Sequence, residues 1–195
     1  MKTKTKALAL FLSAVLLVVT TVFTTMAYLT SWDSVKNTFT FGQVGITLDE
    51  TDVNTDGTVI AGAARVKANE YHLIPGHAYV KDPVVHIDAN SENCWLFVKL
   101  NNGLQNIIAS KTIEEQMQEN GWSVIDATNN IWAYKEIVDK NMDIPTFTQF
   151  ALNNDANVSE YGNAVIEVTA YAVQADGFGS AGAAWEATSA GFATN

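Results

Sequence analysis

From Thr38 onward, apolar residues recur at every second position, and few patterns restrict a fold more. Phe39 and Phe41 open the series. Val44, Ile46 and Leu48 continue it one step out of phase across Gly42-Gln43. Period two places alternate side chains on opposite faces of a strand. A one-residue slip beside a glycine is how a β-bulge reads in sequence. The stretch "EYHLIPGHAYVKDPVVHID" predicts two extended segments around a Pro75-Gly76 turn, with Pro83 at a strand start or edge. "CWLFVKLNNG" predicts a strand followed by a turn, and "SVID" and "IWAYKEIV" around "ATNN" predict a hairpin. "IPTFTQFAL" and "NAVIEVTAYAVQA" complete the set. In the last, Ile166, Val168, Ala170 and Ala172 share one face and Glu167, Thr169 and Tyr171 the other.

Helix is sparse. "TIEEQMQEN" carries a Thr112–Glu115 capping box ahead of Ile113 and Met117, ending before Gly121. "SAGAAWEATSAG" predicts a short C-terminal helix bearing Trp185. Seven or eight short strands at this spacing predict an all-β chain, a jelly-roll-like β-sandwich with one or two short helices.

Ahead of this body, residues 1–27 read "MKTKTKALALFLSAVLLVVTTVFTTMA". Lysines at 2, 4 and 6 precede an apolar run, and small residues stand at Thr25 and Ala27. That is the plan of a cleavable signal peptide, with the cut between Ala27 and Tyr28; the alternative is an uncleaved N-terminal anchor, the apolar stretch being close to the lower length limit for a span. The expected division is therefore a leader over 1–27 and one domain over 28–195. Such a chain is expected to be secreted and to keep no stable membrane anchorage once cut.

Charge narrows the partners. The chain holds 11 basic and 21 acidic residues, net −10. Three of the basic residues lie in the leader, which has no acid, so the remainder carries eight against 21. Such a body repels nucleic acid and anionic lipid. The one cysteine, Cys94, sits in an apolar run, excludes an intramolecular disulfide and reads as a buried thiol.

Motifs that carry chemistry are few. Asp52, Asn54 and Asp56, with Gly57, hold the first oxygen positions of a calcium loop. Position 12 of that loop is Ala63, so the run supports at most a weak calcium site, and an Asx-rich turn is the ordinary reading. His72, His77 and His86 are the three histidines, but no HExxH is present to set two imidazoles on one helix face. No nucleophile elbow, phosphate loop or dinucleotide fingerprint occurs. The sequence leads us to expect no catalytic residues, no resident metal or other cofactor, and no enzyme.

The leader, the following "AYLTSWDSVKNTFTFGQVGITLDE", then "NEYHLIPGHAYVKDPVVHI" and "AVIEVTAYAVQADGF" together resemble the TasA/camelysin family. These are secreted biofilm-matrix proteins of Gram-positive bacteria, processed by a SipW-type signal peptidase. The resemblance is weakest over residues 101–160. It implies a structural subunit that assembles into fibres with copies of itself or related matrix subunits. In such fibres the freed N-terminal segment adds as a strand to the next subunit. Here that segment is 28–41, with Leu29, Trp32, Val35, Phe39 and Phe41 too apolar to remain in water. The other function classes are a monomeric surface-binding or adhesion module and a camelysin-like metalloprotease. The protease chemistry transfers to no residue of this chain.

Overall fold

A computed structural model describes residues 3–29, 43–109 and 111–192. The chain divides into two units, Met1–Thr40 and Phe41–Asn195. The first contains helix α1, Thr3–Leu29. At a rise of about 1.5 Å per residue it is about 40 Å long. Leu8, Leu10, Phe11, Leu12 and Val15 are exposed along it.

The second unit is mostly β. Among the described residues there are nine strands, all paired antiparallel, in three sheets. β1 (Ile46–Asp49), β3 (Val84–Ile87) and β7 (Asp143–Pro145) form one sheet in the order β1-β3-β7. β2 (Ala78–Val80) pairs with β8 (Gln149–Ala151). β4 (Cys94–Asn102), β5 (Trp122–Asp126), β6 (Ile131–Tyr134) and β9 (Ile166–Gln174) form the third, in the order β5-β6-β4-β9. Val85, Ile87 and Ile144 of the first sheet share one buried cluster with Tyr79 and Phe150 of the second and Leu96, Val98, Leu100, Trp122 and Trp132 of the third. One core between stacked sheets is the arrangement of a sandwich.

The period-two readings held where they can be compared. Ile46 and Leu48 of β1 and Val44 just before it pack on the core, as do Ile166, Val168, Ala170 and Ala172 from β9. Pro83 directly precedes β3, where its missing N–H costs nothing. The β5–β6 hairpin forms with a register shift between Val124 and Asp126. Three expectations needed adjustment. The stretch 144–152 is not one strand but divides between β7 and β8, which belong to different sheets. Residues 135–138 do not extend β6, and the segment before Pro75-Gly76 is no strand. It runs irregularly beside β1, so β2 pairs with β8 instead of folding back across that turn. The proposed bulge at Gly42 lies outside the described residues.

Helix α2 (Ile113–Glu119) starts at the foreseen capping box: Glu115 N donates to Thr112 Oγ1 (3.2 Å) and Thr112 N to Glu115 Oε2 (2.8 Å). Helix α3 (Ala181–Phe192) covers the outer face of the four-stranded sheet. There Trp185 and Phe192 pack on Phe97 and Tyr171 in a second apolar cluster. That contact explains why Tyr171 can face away from the main core without facing water.

Candidate functional site

Two strands end up at sheet edges facing a common groove. β1 is terminal in its sheet and β9 in its own, and their Cα atoms approach to within 8 Å without pairing. The groove between them has a volume of about 1360 Å³. Ile46 and Leu48 form one wall and Ile166, Val168 and Ala170 the other, and Tyr71, Leu73, Leu104 and Phe150 also line it.

The direction of the backbone groups follows from the ladders. Neighbouring residues of a strand send their N–H and C=O to opposite sides. Gly45 O accepts from Asp88 N on the β3 side (3.0 Å), while Glu50 exchanges both bonds with Val66 on the other side (2.9 and 2.8 Å). Ile46 and Leu48 therefore present their backbone groups to the groove. On β9, Ala175 N donates to Asn93 O and Val165 O accepts from Gly103 N, both toward β4 (2.8 Å each). By the same alternation Ile166, Val168 and Ala170 present theirs outward. The groove is thus a slot of mixed lining, its two apolar strand walls bordered by two rows of backbone donors and acceptors.

Residues 65–73 form one lip. The Glu50–Val66 pairing shuts the slot at one end, and Lys67 Nζ donates to Leu48 O (2.5 Å). A lysine on an exposed edge is a common guard against unwanted pairing. Arg65 donates to Asp49, to Asp82 Oδ2 (3.1 Å) and to Thr51 Oγ1 (3.0 Å), tying the lip to the end of β1.

Polar groups cluster at two points of β1. On its solvent face, His86 Nδ1 lies 2.6 Å from Asp143 Oδ1 and its Nε2 lies 3.0 Å from Asp49 Oδ1. Burial alone would lower the His86 pKa, but its bonds and attraction to the two carboxylates outweigh that and raise it. Burial likewise pushes Asp49 up, and its bonds to Arg65 and His86 together hold it below the ordinary carboxylate value. At the closed end of the groove, Lys81 Nζ and Glu50 Oε2 form a buried pair at 2.6 Å. Asn69 Nδ2 donates to the other carboxylate oxygen, Glu50 Oε1 (3.0 Å).

The residues singled out by sequence are dispersed. Asp56 Oδ1 accepts from Thr58 N (3.0 Å) and Thr58 Oγ1 (2.6 Å), while Asn54 Nδ2 donates to Thr58 Oγ1 (2.9 Å). That is an Asx turn closing the Val53–Val59 bridge. Those bonds to Thr58 hold Asp56 below the usual carboxylate value. His77 Nε2 lies 2.8 Å from Asp56 O, and His86 is engaged between carboxylates on another sheet. Among the described residues no cluster of His, Cys, Asp or Glu is arranged to hold a metal ion. Cys94 is buried, and burial pushes its thiol up to about 11. Ala27, Tyr28 and Leu29 fall in the last turn of α1. Trp32, Val35, Phe39 and Phe41 lie outside the described residues.

Arg65, Lys67, Asn69 and Lys81 were missed by sequence reasoning. The signal available was the Arg65-Val-Lys67 spacing, which sets two cations on one side of an extended segment. No family model, curated protein or solved structure matches the chain.

Proposed function

We propose that this protein is a secreted structural subunit of an extracellular or biofilm matrix, of the TasA/camelysin type. Copies join through N-terminal strand donation. Its body is a jelly-roll-like β-sandwich freed from its leader by a SipW-type peptidase. The observation that carries the reading is the slot between β1 and β9. Both walls are strand edges, and apolar side chains of the two strands line the slot beside Lys67, Asn69 and Glu70.

An extended peptide entering such a slot gains main-chain hydrogen bonds on both sides and buries alternate side chains. The occupant is residues 28–41 of a second copy, whose Leu29, Trp32, Val35, Phe39 and Phe41 supply apolar side chains. Each copy would carry one donor segment and one acceptor slot. That head-to-tail contact propagates as an open filament. The leader delays assembly, because the donor has no free end until the chain is cut. The exposed apolar side chains of α1 fit a segment made for export machinery rather than for water.

Electron microscopy of the chain 28–195 beside one starting at Thr40 tests this. Filaments from the first and none from the second are expected. A folded 28–195 chain that stays monomeric at high concentration, across pH and salt, overturns the fibre reading in favour of a surface-binding module.

A further inference from the structure

The buried Lys81–Glu50 pair has a third member whose chemistry a plain ion pair would not need. Lys81 and Glu50 are 9% and 4% exposed, a costly place for two charges. Glu50 uses its two oxygens on different partners: Oε2 on Lys81 Nζ (2.6 Å) and Oε1 on the Asn69 side-chain amide (3.0 Å). The Asn69 amide is held at both ends. Its Nδ2 also donates to Thr51 O (2.8 Å), and its Oδ1 accepts from the backbone N–H of Val53 (3.0 Å). Tyr71 roofs the cluster, with its ring centroid 5.9 Å from Nζ and its hydroxyl bonded to Val80 O (2.9 Å).

These are the parts of an acyl-transfer site. A shielded lysine amine is a nucleophile once it gives up a proton. A carboxylate touching both the nucleophile and the leaving nitrogen can carry that proton between them. A backbone N–H on the amide oxygen stabilises the charge that develops there.

We propose that Lys81 and Asn69 become joined by a side-chain amide bond, formed within the folded chain with Glu50 as proton carrier. Glu50 takes a proton from the Lys81 ammonium. The freed Nζ electron pair attacks Asn69 Cγ, and the oxyanion rests on the Val53 N–H. Glu50 passes its proton to Nδ2 and takes the second proton from Nζ; the Cγ–Nδ2 bond breaks, and ammonia leaves. Five hydrogens start on the two nitrogens. One remains on the new amide, three leave with ammonia and one stays on Glu50. The initial charges cancel, and no oxidant or reductant is required.

The bond would fasten the 65–73 lip to the residue following β2, so the groove wall beside β1 would be covalently held. It does not depend on fibre formation, and its test is separate from the filament test.

The test is the intact mass of the purified folded chain, followed by tryptic mapping. A mass about 17 Da below the sequence value is expected, the loss of one ammonia. Trypsin should read through the acylated Lys81, replacing peptide 68–81 with a peptide 68–99. Fragmentation of that peptide should yield no cleavages between Asn69 and Lys81. Glu50→Gln, Lys81→Arg and Asn69→Ala should each restore the unreacted mass. Wild-type folded protein at its full sequence mass, cleaved normally after Lys81, overturns the proposal whether or not the variants fold. Ammonia loss that persists in Lys81→Arg also overturns it, since the loss would then come from an asparagine cyclising alone.

Discussion

His86 Nε2 stands 3.0 Å from Asp49 Oδ1, joining the central strand of the β1-β3-β7 sheet to its groove-side edge. The opposite ring nitrogen meets Asp143 on the other edge strand at 2.6 Å. One imidazole therefore spans all three strands, and its charge decides how strongly it does so. Its folded pKa is raised, so the stabilisation is complete below the unfolded value of about 6.5 and is lost as pH rises through the folded value. Asp49 has a lowered folded pKa, so its contribution is present above its unfolded value of 3.8 and is lost as pH falls through the folded value. The two together predict greatest stability between about pH 4 and pH 6.5. Thermal melts of wild type and His86→Gln across pH should converge on the alkaline side. A parallel offset at every pH would show that His86 charge is irrelevant. NMR titration of His86 should find its midpoint above that of a free histidine.

Val168→Pro removes an N–H that faces the groove and none that faces β4, so the four-stranded ladder should survive. The variant of chain 28–195 is expected to fold, with unchanged far-ultraviolet circular dichroism, and to form no filaments. Equal filament yield from this variant would remove β9 from the assembly surface.

Gln116 couples α2 to β8 through both ends of its amide. Nε2 donates to Gln149 O (2.8 Å), and Oε1 accepts from Thr148 N and Thr148 Oγ1 (3.2 Å each) and Gln149 N (3.3 Å). Gln116 is 5% exposed, so truncation strands several groups away from water. Gln116→Ala should cost on the order of 3 kcal/mol in urea unfolding, more than a single surface bond is worth. A loss under about 0.5 kcal/mol would mean that water replaces the amide without penalty.

Gly57 turns the Asp52–Val59 loop at φ 81°, and a Cβ there would lie 2.9 Å from the Cα of Tyr79. Both the dihedral and the backbone contact oppose a side chain. Gly57→Ala is expected to destabilise by about 2 kcal/mol or more, read from denaturant midpoints. Asp56→Ala, which removes the Asx turn without adding bulk, should cost less.

Much of the strand content was legible because each strand advertises itself locally. Val44, Ile46 and Leu48 announce β1 by period alone, and Ile166 to Ala172 announce the inward face of β9. The capping box at Thr112 and Glu115 is equally local, since both partners sit within one turn. The lip from Arg65 to Leu73 was illegible for the converse reason. It has no period, and its backbone bond to β1 joins residues 16 apart, Glu50 and Val66. Lys81, Glu50 and Asn69 come from three separate segments, each reading as an ordinary polar position.

Pattern and turn chemistry in the sequence alone determined the β character, the helix starts and the buried state of Cys94. These depend on interactions within a few residues and on which side chains avoid water. Only the tertiary structure decided which strands became edges, that two of those edges border one slot, and that a lysine, a glutamate and an asparagine meet at its closed end. Strand pairing and side-chain convergence are long-range choices set by the closing of one shared core, and period-two patterning is the same for an edge strand as for a central one.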